Sequence, residues 1–356
     1  MTMLADPLRR FHPLEVRAVT RTAIDGVIVE FSVPDHLGSA FTGEPGQHVT
    51  LRTTIHDQEV RRSYSVCSRP GESLRVAIRK LPGGRMSTFI HDLEVGQIVD
   101  VMPPLGAFTL PPPNDRDRQY TFIAAGSGIT PILAMIADCL GGRPTVRTAL
   151  LYINRTTRDT MLVDELHELK CSHPSRLQLT FATTRESRAA SVLGRRPDRA
   201  DVQLLLDAGV LPPADHWFLC GPEALAELFE AVLAGRGIPP TSMHRESYGA
   251  APATRATRTF TDAPADNSMT FSFRGRDSTV FISREQPLLD AAVAACPDLP
   301  YSCRTGACST CRARVRAGSV AMGEAPGLTA LERGQGYVLA CQATTLSPHV
   351  EIDFDV

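Results

Sequence analysis

The 356-residue sequence predicts a multidomain protein with an antiparallel β-barrel first, an α/β Rossmann-like domain next and a mixed α+β domain last. Three observations predict this order. Short runs of alternating apolar residues, separated by Gly and Pro, extend from about residue 13 to 110, as in small barrels. Strand-like and helical runs then alternate from about 119 to 247, which is typical of βαβ units. Four cysteines near the end follow the spacing of a metal-binding loop.

The composition is that of an ordinary globular protein, with 43% hydrophobic and 21% charged residues. A formal net charge of −2 offers no basic surface for nucleic acid or for an anionic membrane. No apolar run reaches the length of about 18 residues that a membrane span needs, and residues 1–10 lack an apolar signal core. We therefore expect a cytoplasmic protein, in which nine cysteines suit a metal cluster better than disulfides.

The first domain is assigned to residues 1–112, with strands expected at 14–19, 27–33, 48–52, 74–79 and 98–102. A further strand ends in Arg-Arg-Ser-Tyr-Ser-Val-Cys-Ser, residues 61–68. There Arg62 can pair bidentately with a phosphate. Tyr64 faces the same way two residues later and can stack on a flat ring, while Ser65 can donate to a ring nitrogen. Taken alone, this stretch also fits a solvated edge strand.

A glycine-rich turn, Pro-Gly-Gly-Arg-Met-Ser-Thr at residues 82–88, follows and leads into a helical run. Glycines let backbone N–H groups approach a pyrophosphate, and the start of a helix favours anions. The alternative is a simple turn. Because the two stretches occur together and in this order, they indicate a nucleotide-like cofactor more strongly than either does alone.

The second domain is assigned to residues 113–248. Its expected strands are 119–124, 146–153, 177–183 and 217–220, and its helices are 131–140, 161–170 and 222–234. The turn Gly126-Ser127-Gly128 leads into a helix, for which Thr130 is the expected N-cap, and can seat a phosphate. Cys220-Gly221-Pro222 ends another strand. Since parallel strands end at one edge of a sheet, we expect Cys220 to lie near the first turn.

Three more residues of this domain are candidate site residues. Arg155 and Arg185 both follow strands at the same edge, and two guanidinium groups there can bind a 2′-phosphate. If the ligand at this edge is a pyridine nucleotide, the two arginines favour NADPH over NADH. Tyr248 lies near the end of the domain, where its position suggests contact with a flat cofactor ring, although a packed or solvated tyrosine fits equally.

The third domain is assigned to residues 269–356, joined by a linker over 249–268 that is rich in Ala, Thr, Pro and Asp. Its cysteines Cys303, Cys308 and Cys311 follow C-x4-C-x2-C, and Cys341 comes 29 residues after the third. This is the plant-type spacing for a 2Fe–2S cluster. A tetrahedral zinc site and a set of packed thiols are the alternatives, but structural zinc sites usually use two short Cys or His pairs.

Together these motifs resemble those of the ferredoxin–NADP reductase superfamily. The resemblance implies an FAD-binding barrel, a nucleotide domain and a β-grasp ferredoxin domain, with FMN as the alternative flavin. It implies flavin contacts from Arg62, Tyr64, Ser65, Val76, Ile78, Lys80, Gly84, Arg85, Met86 and Ser87. It implies nucleotide contacts from Gly126, Ser127, Gly128, Thr130, Arg155, Arg185, Cys220, Gly221 and Pro222. Ser65, Cys220 and Tyr248 are then the candidate catalytic residues, with Cys220 orienting the nicotinamide.

The order of the three domains is similar to that of the reductase components of multicomponent oxygenases, especially the reductases of phenylacetyl-CoA 1,2-epoxidases. Such a protein passes electrons from NADPH through FAD and a 2Fe–2S cluster to an oxygenase component. The reductase of a Rieske-type, steroid or aromatic hydroxylase shares the architecture and is the alternative. A redox-sensing binding module is a third reading, which the complete flavin and nucleotide motifs disfavour.

Overall fold

A computed structural model describes residues 10–69, 71–114, 118–187, 190–246, 248, 266–323, 325–328 and 330–356. Within these residues it has eighteen β-strands and seven α-helices. They form three units in chain order, each with its own sheet and hydrophobic core. No helix among the described residues is both long and apolar enough to cross a membrane.

The first unit is an antiparallel barrel. Its elements are β1 (His12–Ala23), β2 (Gly26–Ser32), β3 (His48–Ile55), β4 (Gln58–Ser65), β5 (Leu74–Arg79), α1 (Arg85–His91) and β6 (Ile98–Leu105). The sheet order is β4-β3-β6-β1-β2-β5. Val66, directly after β4, pairs with Val76 of β5, so the two ends of the sheet meet. Alternating apolar residues such as Leu14, Val29 and Val49 fill the interior.

The β3–β4 hairpin has two faces that matter below. Register places His48 opposite Ser65 and Arg52 opposite Arg61. Because side chains alternate along a strand, these four residues share one face. The side chain of Tyr64 lies on the other face, where it packs against the barrel core.

The second unit is a parallel α/β sandwich. Its elements are β7 (Gln119–Ala125), α2 (Ile129–Gly142), β8 (Arg147–Asn154), α3 (Val163–Ser172), β9 (Leu177–Thr183), α4 (Arg199–Asp207), β10 (His216–Cys220), α5 (Glu223–Gly235) and β11 (Met243–Glu246). The order is β11-β10-β7-β8-β9, all parallel. Phe122 and Phe218 stack on one face of the sheet, and Trp217 is buried on the other. Helices cover both faces, as expected for a parallel sheet.

The third unit is built on a mixed sheet. Its elements are β12 (Asn267–Phe273), β13 (Arg276–Ile282), α6 (Leu288–Ala295), β14 (Arg312–Ala317), β15 (Val320–Met322), α7 (Ala330–Gly334), β16 (Tyr337–Leu339), β17 (Ala343–Thr345) and β18 (His349–Asp353). The sheet order is β13-β12-β18-β14-β16, with β12 and β18 parallel. The first strand begins two residues inside the predicted linker, and residues 249–265 lie outside the described part of the chain.

Candidate redox sites

The cysteine-rich loop lies between α6 and β14. Arg304, Gly306 and Ser309 take left-handed backbone conformations, with φ of 56°, 80° and 54°, which fold the loop back on itself. The Cys303 sulfur accepts hydrogen bonds from the N–H groups of Thr305 and Cys308, both at 3.4 Å. Amide donors aimed at a sulfur are what a bound thiolate needs, so the loop fits an iron–sulfur cluster.

The four predicted cysteine ligands lie as two pairs. Hydrogen bonding joins the Cys303 and Cys308 thiols, and likewise those of Cys311 and Cys341. Cys341, which lies between β16 and β17, is held there by the bond from the Ala340 N–H to the Cys311 carbonyl at 3.1 Å. Among the described residues no three metal-ligand side chains converge as they would on one ion. Two pairs suit two irons, each with two thiolates, better than one zinc.

Ser65 and Tyr248 bring the barrel and the α/β unit together. The Tyr248 hydroxyl lies 2.7 Å from the Ser65 Oγ and 3.2 Å from the Thr130 Oγ1. It also hydrogen-bonds the Cys220 thiol. All three predicted catalytic residues therefore meet at one point, although they come from three separate parts of the chain.

Glu246 lies beside Ser65 and Tyr248, and the sequence did not predict it as a site residue. It ends β11 directly opposite Cys220 in the neighbouring strand. Burial raises the pKa of its carboxyl to about 8, although Ser65 and Tyr248 hydrogen-bond to it. The carboxyl is therefore mostly protonated at neutral pH. Only the register of a four-residue edge strand reveals this position, and no local motif of the sequence does.

The two nucleotide motifs lie against each other, as the parallel topology predicts. A Cβ on Gly128 would come within 2.1 Å of the Cys220 carbonyl oxygen, so only glycine fits there. A Cβ on Gly221 would lie 2.9 Å from that of Ala125. The two turns therefore lie in contact at the carboxyl edge of the sheet, which is where ligands of parallel sheets bind.

The helix after the first turn begins two residues earlier than predicted. α2 starts at Ile129 with Gly128 as its N-cap. The prediction that Thr130 caps it is wrong, because the Thr130 hydroxyl instead donates back to the Ser127 carbonyl at 3.0 Å. Ser127 lies in the 3-10 turn of residues 126–128, where Gly126 has a φ of 57°. Pro222 is the N-cap of α5, next to Gly221.

Two arginines predicted to bind the flavin lie on or against the β3–β4 hairpin. Arg62 is exposed on β4 and donates to the Arg61 carbonyl at 2.7 Å. Arg85, the first residue of α1, bonds Gln58 at 2.8 Å and the carbonyl of Ile55, both at the turn of the hairpin. Two cationic side chains beside a helix start suit a diphosphate.

The glycine loop has the tight geometry that the motif predicts. A Cβ on Gly84 would lie 2.5 Å from the Ser87 Oγ. That hydroxyl donates to the Gly84 carbonyl and accepts from the Leu81 N–H, both at 3.1 Å. The loop is therefore closed by Ser87, which leaves the first amides of α1 without an intrahelical partner.

Three predicted flavin residues turn their side chains away from the barrel surface. The side chains of Val76, Ile78 and Met86 are at most 2% exposed and lie in the barrel core. The sequence indicated only that they border the cofactor, and alternation along β5 turns the first two inward. Any flavin contact from them must come through the backbone. Lys80, just beyond the strand, is exposed.

The two arginines predicted to bind a 2′-phosphate differ. Arg155 already contacts two carboxylates, with its Nη2 3.4 Å from Asp25 and 3.1 Å from Asp159. Arg185 is exposed and forms no ion pair within the described parts of the chain. Its N–H bonds the Arg155 carbonyl at 2.8 Å, so the two backbones are adjacent. Arg185 is the better placed of the two for an incoming phosphate.

Comparisons with known proteins agree with this division of the chain. Residues 13–110 match an oxidoreductase FAD-binding domain, 122–230 an oxidoreductase NAD-binding domain, and 273–345 a 2Fe-2S iron-sulfur cluster binding domain. Fold and sites thus define a class: flavoprotein reductases that use a pyridine nucleotide, FAD and a 2Fe–2S cluster.

Full-length relatives identify the family. One subunit of the 1,2-phenylacetyl-CoA epoxidase from Escherichia coli is 37% identical over 97% of this chain and 98% of its own. The ferredoxin reductase component of 3-ketosteroid-9-alpha-monooxygenase from Rhodococcus rhodochrous is 31% identical over 96% of each chain. The chain belongs to the ferredoxin–NADP reductase superfamily, among its oxygenase reductases with a C-terminal 2Fe–2S domain. It is an NAD(P)H-dependent oxidoreductase rather than a redox-sensing binding module.

Solved structures share the fold. Phthalate dioxygenase reductase matches with a TM-score of 0.56 and 22% identity over 96% of this chain and 98% of its own. An intact type IV self-sufficient cytochrome P450 monooxygenase matches with a TM-score of 0.69 and 22% identity. This chain covers 41% of that longer protein. At these identities the likeness concerns the fold alone.

Proposed function

We propose that this reductase delivers electrons from NADPH to the oxygenase component of a phenylacetyl-CoA epoxidase. The observation that carries the proposal is the 37% identity to the Escherichia coli epoxidase chain, which runs across all three domains and leaves almost none of either chain uncovered. We assign the protein to the cytoplasm, where NADPH is produced. Neither nucleic acid nor a membrane enters the proposal.

The proposed route follows the positions of the sites. When bound, FAD supplies the chemistry that links the nicotinamide to the cluster, since it accepts a hydride and releases electrons singly. Ser65 and Cys220 face each other across the barrel and the α/β unit, and both contact Tyr248. We assign to these two residues the orientation of the flavin ring and of the nicotinamide. Tyr248 covers the point between them.

The remaining assignments concern anchoring. Arg62, Arg85 and the start of α1 hold the flavin phosphates in this proposal. The turn at Gly126–Gly128 holds the nucleotide pyrophosphate, and Arg185 holds the 2′-phosphate. The two cysteine pairs hold the cluster, and no residue acts as a covalent catalyst.

Reconstitution tests the proposal. The purified reductase is mixed with the oxygenase component of a phenylacetyl-CoA epoxidase, and NADPH-dependent loss of phenylacetyl-CoA is measured. Cys308→Ser is the matched variant, because it removes one cluster ligand. We expect it to keep flavin absorbance and ferricyanide reduction but to lose the 2Fe–2S signal and substrate turnover. Turnover equal to that of the unaltered reductase would remove Cys308 from the route.

A 3-ketosteroid monooxygenase is the second candidate acceptor. The 31% identity over 96% of each chain favours it. The same assay with that oxygenase and a 3-ketosteroid discriminates between the two. Faster turnover with the steroid system than with the epoxidase would replace the first proposal by the second.

A further inference from the structure

Arg61 joins the barrel to the ferredoxin domain. It lies on β4, yet its Nη1 and Nη2 donate to the carbonyls of Leu299 and Pro297 at 2.9 and 3.0 Å. Its guanidinium carbon lies 4.1 Å from the ring centre of Tyr301. These three partners form the segment that leads from α6 into the cysteine loop, two residues before Cys303.

The environment of Arg61 is complete only when the two domains are in contact. Its side chain is 3% exposed, and its Nε pairs with Glu59 at 2.7 Å. A buried charge is costly unless its donors are satisfied. Two of the three donor groups here are satisfied by the ferredoxin domain. Separating the domains would expose Arg61 to water and leave two ferredoxin carbonyls without this donor.

A second contact lies at the other end of the hairpin. The Nε2 of His48 is 3.4 Å from the Oγ1 of Thr310, and both residues are buried. Thr310 lies between the cluster ligands Cys308 and Cys311. His48 and Arg61 share one face of the hairpin, four strand positions apart by their register, so the two contacts are about 13 Å apart. Two separated contacts fix orientation as well as position.

Of the two contacts, the one at His48 is nearer Ser65, the residue assigned to the flavin ring. His48 pairs directly with Ser65 across the hairpin, and Ser65 bonds Tyr248 at the nicotinamide–flavin point. The cysteine loop is thus held against the strand end that the flavin motif occupies. Holding the loop both before Cys303 and between Cys308 and Cys311 keeps the cluster near the electron donor.

We propose that Arg61 is a positioning residue for electron transfer, and that it holds the ferredoxin domain docked on the β3–β4 hairpin with the cysteine loop at the flavin end. The inference rests on the reductase function but not on the identity of the oxygenase. In the step concerned, one electron leaves the reduced flavin and enters the oxidised cluster, and no bond is made or broken. NADPH is the reductant that supplies it.

Two variants of the full-length holoprotein test the proposal. Arg61→Ala removes the docking contacts. Arg52→Ala is the matched control, because Arg52 lies on the same face and over the same Phe11 ring but pairs with carboxylates of the barrel, Asp100 and Glu59. Rapid mixing with NADPH follows flavin reduction and cluster reduction separately. Small-angle X-ray scattering measures the radius of gyration without any turnover.

We expect Arg61→Ala to slow cluster reduction at least about tenfold relative to Arg52→Ala, since hydrogen bonds from a charged donor are lost. Flavin reduction should match the control, and the radius of gyration should increase. Arg61→Lys keeps the charge but not the forked donors, so it should lie between the two. Unchanged cluster reduction, an unchanged radius or equal slowing of flavin reduction in Arg61→Ala would each overturn the proposal.

Discussion

Glu246 carries a carboxyl group whose pKa is far above its ordinary range. Its pKa of about 8, raised by burial from an ordinary 4.5, means that the folded chain binds a proton over this range that the unfolded chain has lost. The contribution of Glu246 to the free energy of unfolding therefore falls as the pH rises from 4.5 to about 8. Each pH unit within the window costs about 1.4 kcal/mol per proton.

We predict that Glu246→Gln removes this pH dependence. Its unfolding midpoint should exceed that of the unaltered protein at pH 8 and approach it at pH 5, because an amide cannot ionise. Trp217 is the sole tryptophan and lies in β10, beside the strand that carries Glu246. Its fluorescence therefore reports unfolding of this domain.

The control for this experiment is Glu227→Gln, an exposed position on α5. It should follow the pH profile of the unaltered chain. If Glu246→Gln also follows that profile, the carboxyl is not protonated in the folded protein at neutral pH.

A second prediction concerns Arg185 and the choice of nucleotide. We predict that Arg185→Ala raises KM for NADPH about tenfold, because a charge-assisted contact to phosphate is lost. KM for NADH should stay unchanged. Arg155→Ala should have a smaller effect, since its charge is already paired with Asp25 and Asp159. Steady-state kinetics with both nucleotides measure this, and an unaltered protein that prefers NADH would contradict it.

Some site residues could be predicted from the sequence, and others only from the fold. Cys303, Gly128 and Ser65 sit in motifs whose local geometry defines their role. Glu246 and Arg61 do not, because their partners lie far away in the chain and are set by register and by domain contact. The exposed surface of Arg185 and the paired state of Arg155 likewise became visible only in three dimensions.

At the scale of elements, the sequence predicted the strands and helices that have a strong apolar pattern. It did not predict the short ones. β11 has four residues and α7 five, too few to show a period. α4 was also missed, although Asp198 and Asp201 form a capping box at its start. Of the apolar residues among its nine, only Val202 and Leu205 are buried, so its apolar face is narrow.

The turn that contains Gly327 packs against the cysteine loop. A Cβ on Gly327 would lie 2.6 Å from the Ser309 Oγ and 2.7 Å from the Ala307 carbonyl oxygen. Its N–H also donates to the Gly306 carbonyl at 2.9 Å. We predict that Gly327→Ala pushes the loop away and lowers the ratio of 2Fe–2S to flavin absorbance.

The matched variant for this test is Gly334→Ala, where a Cβ would meet nothing within 4 Å. It should retain the full ratio. A full cluster content in Gly327→Ala would mean that the loop can shift without releasing iron.

At the scale of the molecule, the ferredoxin domain is held by a tether and by specific contacts. Residues 269–356 contain eight basic and nine acidic residues, a net charge of −1. The sequence therefore favours tethering over charge steering, because a covalent link between two domains gives a millimolar effective concentration. Arg61 adds docking contacts to carbonyl oxygens and a ring rather than to a carboxylate of the other domain.

The tether and the Arg61 contacts can be separated by cutting the chain between its domains. A protease site inserted within residues 250–264 leaves cluster reduction unchanged until it is cleaved. After cleavage at micromolar concentration we expect NADPH to reduce the cluster more slowly, because only non-covalent contacts then hold the pieces together. The rate should rise with protein concentration. Added salt should change the rate little, since no interdomain ion pair is involved in those contacts. An undiminished rate at submicromolar concentration would make the tether incidental, whereas a steep salt dependence would show that charge, and not Arg61 with its carbonyl partners, drives docking.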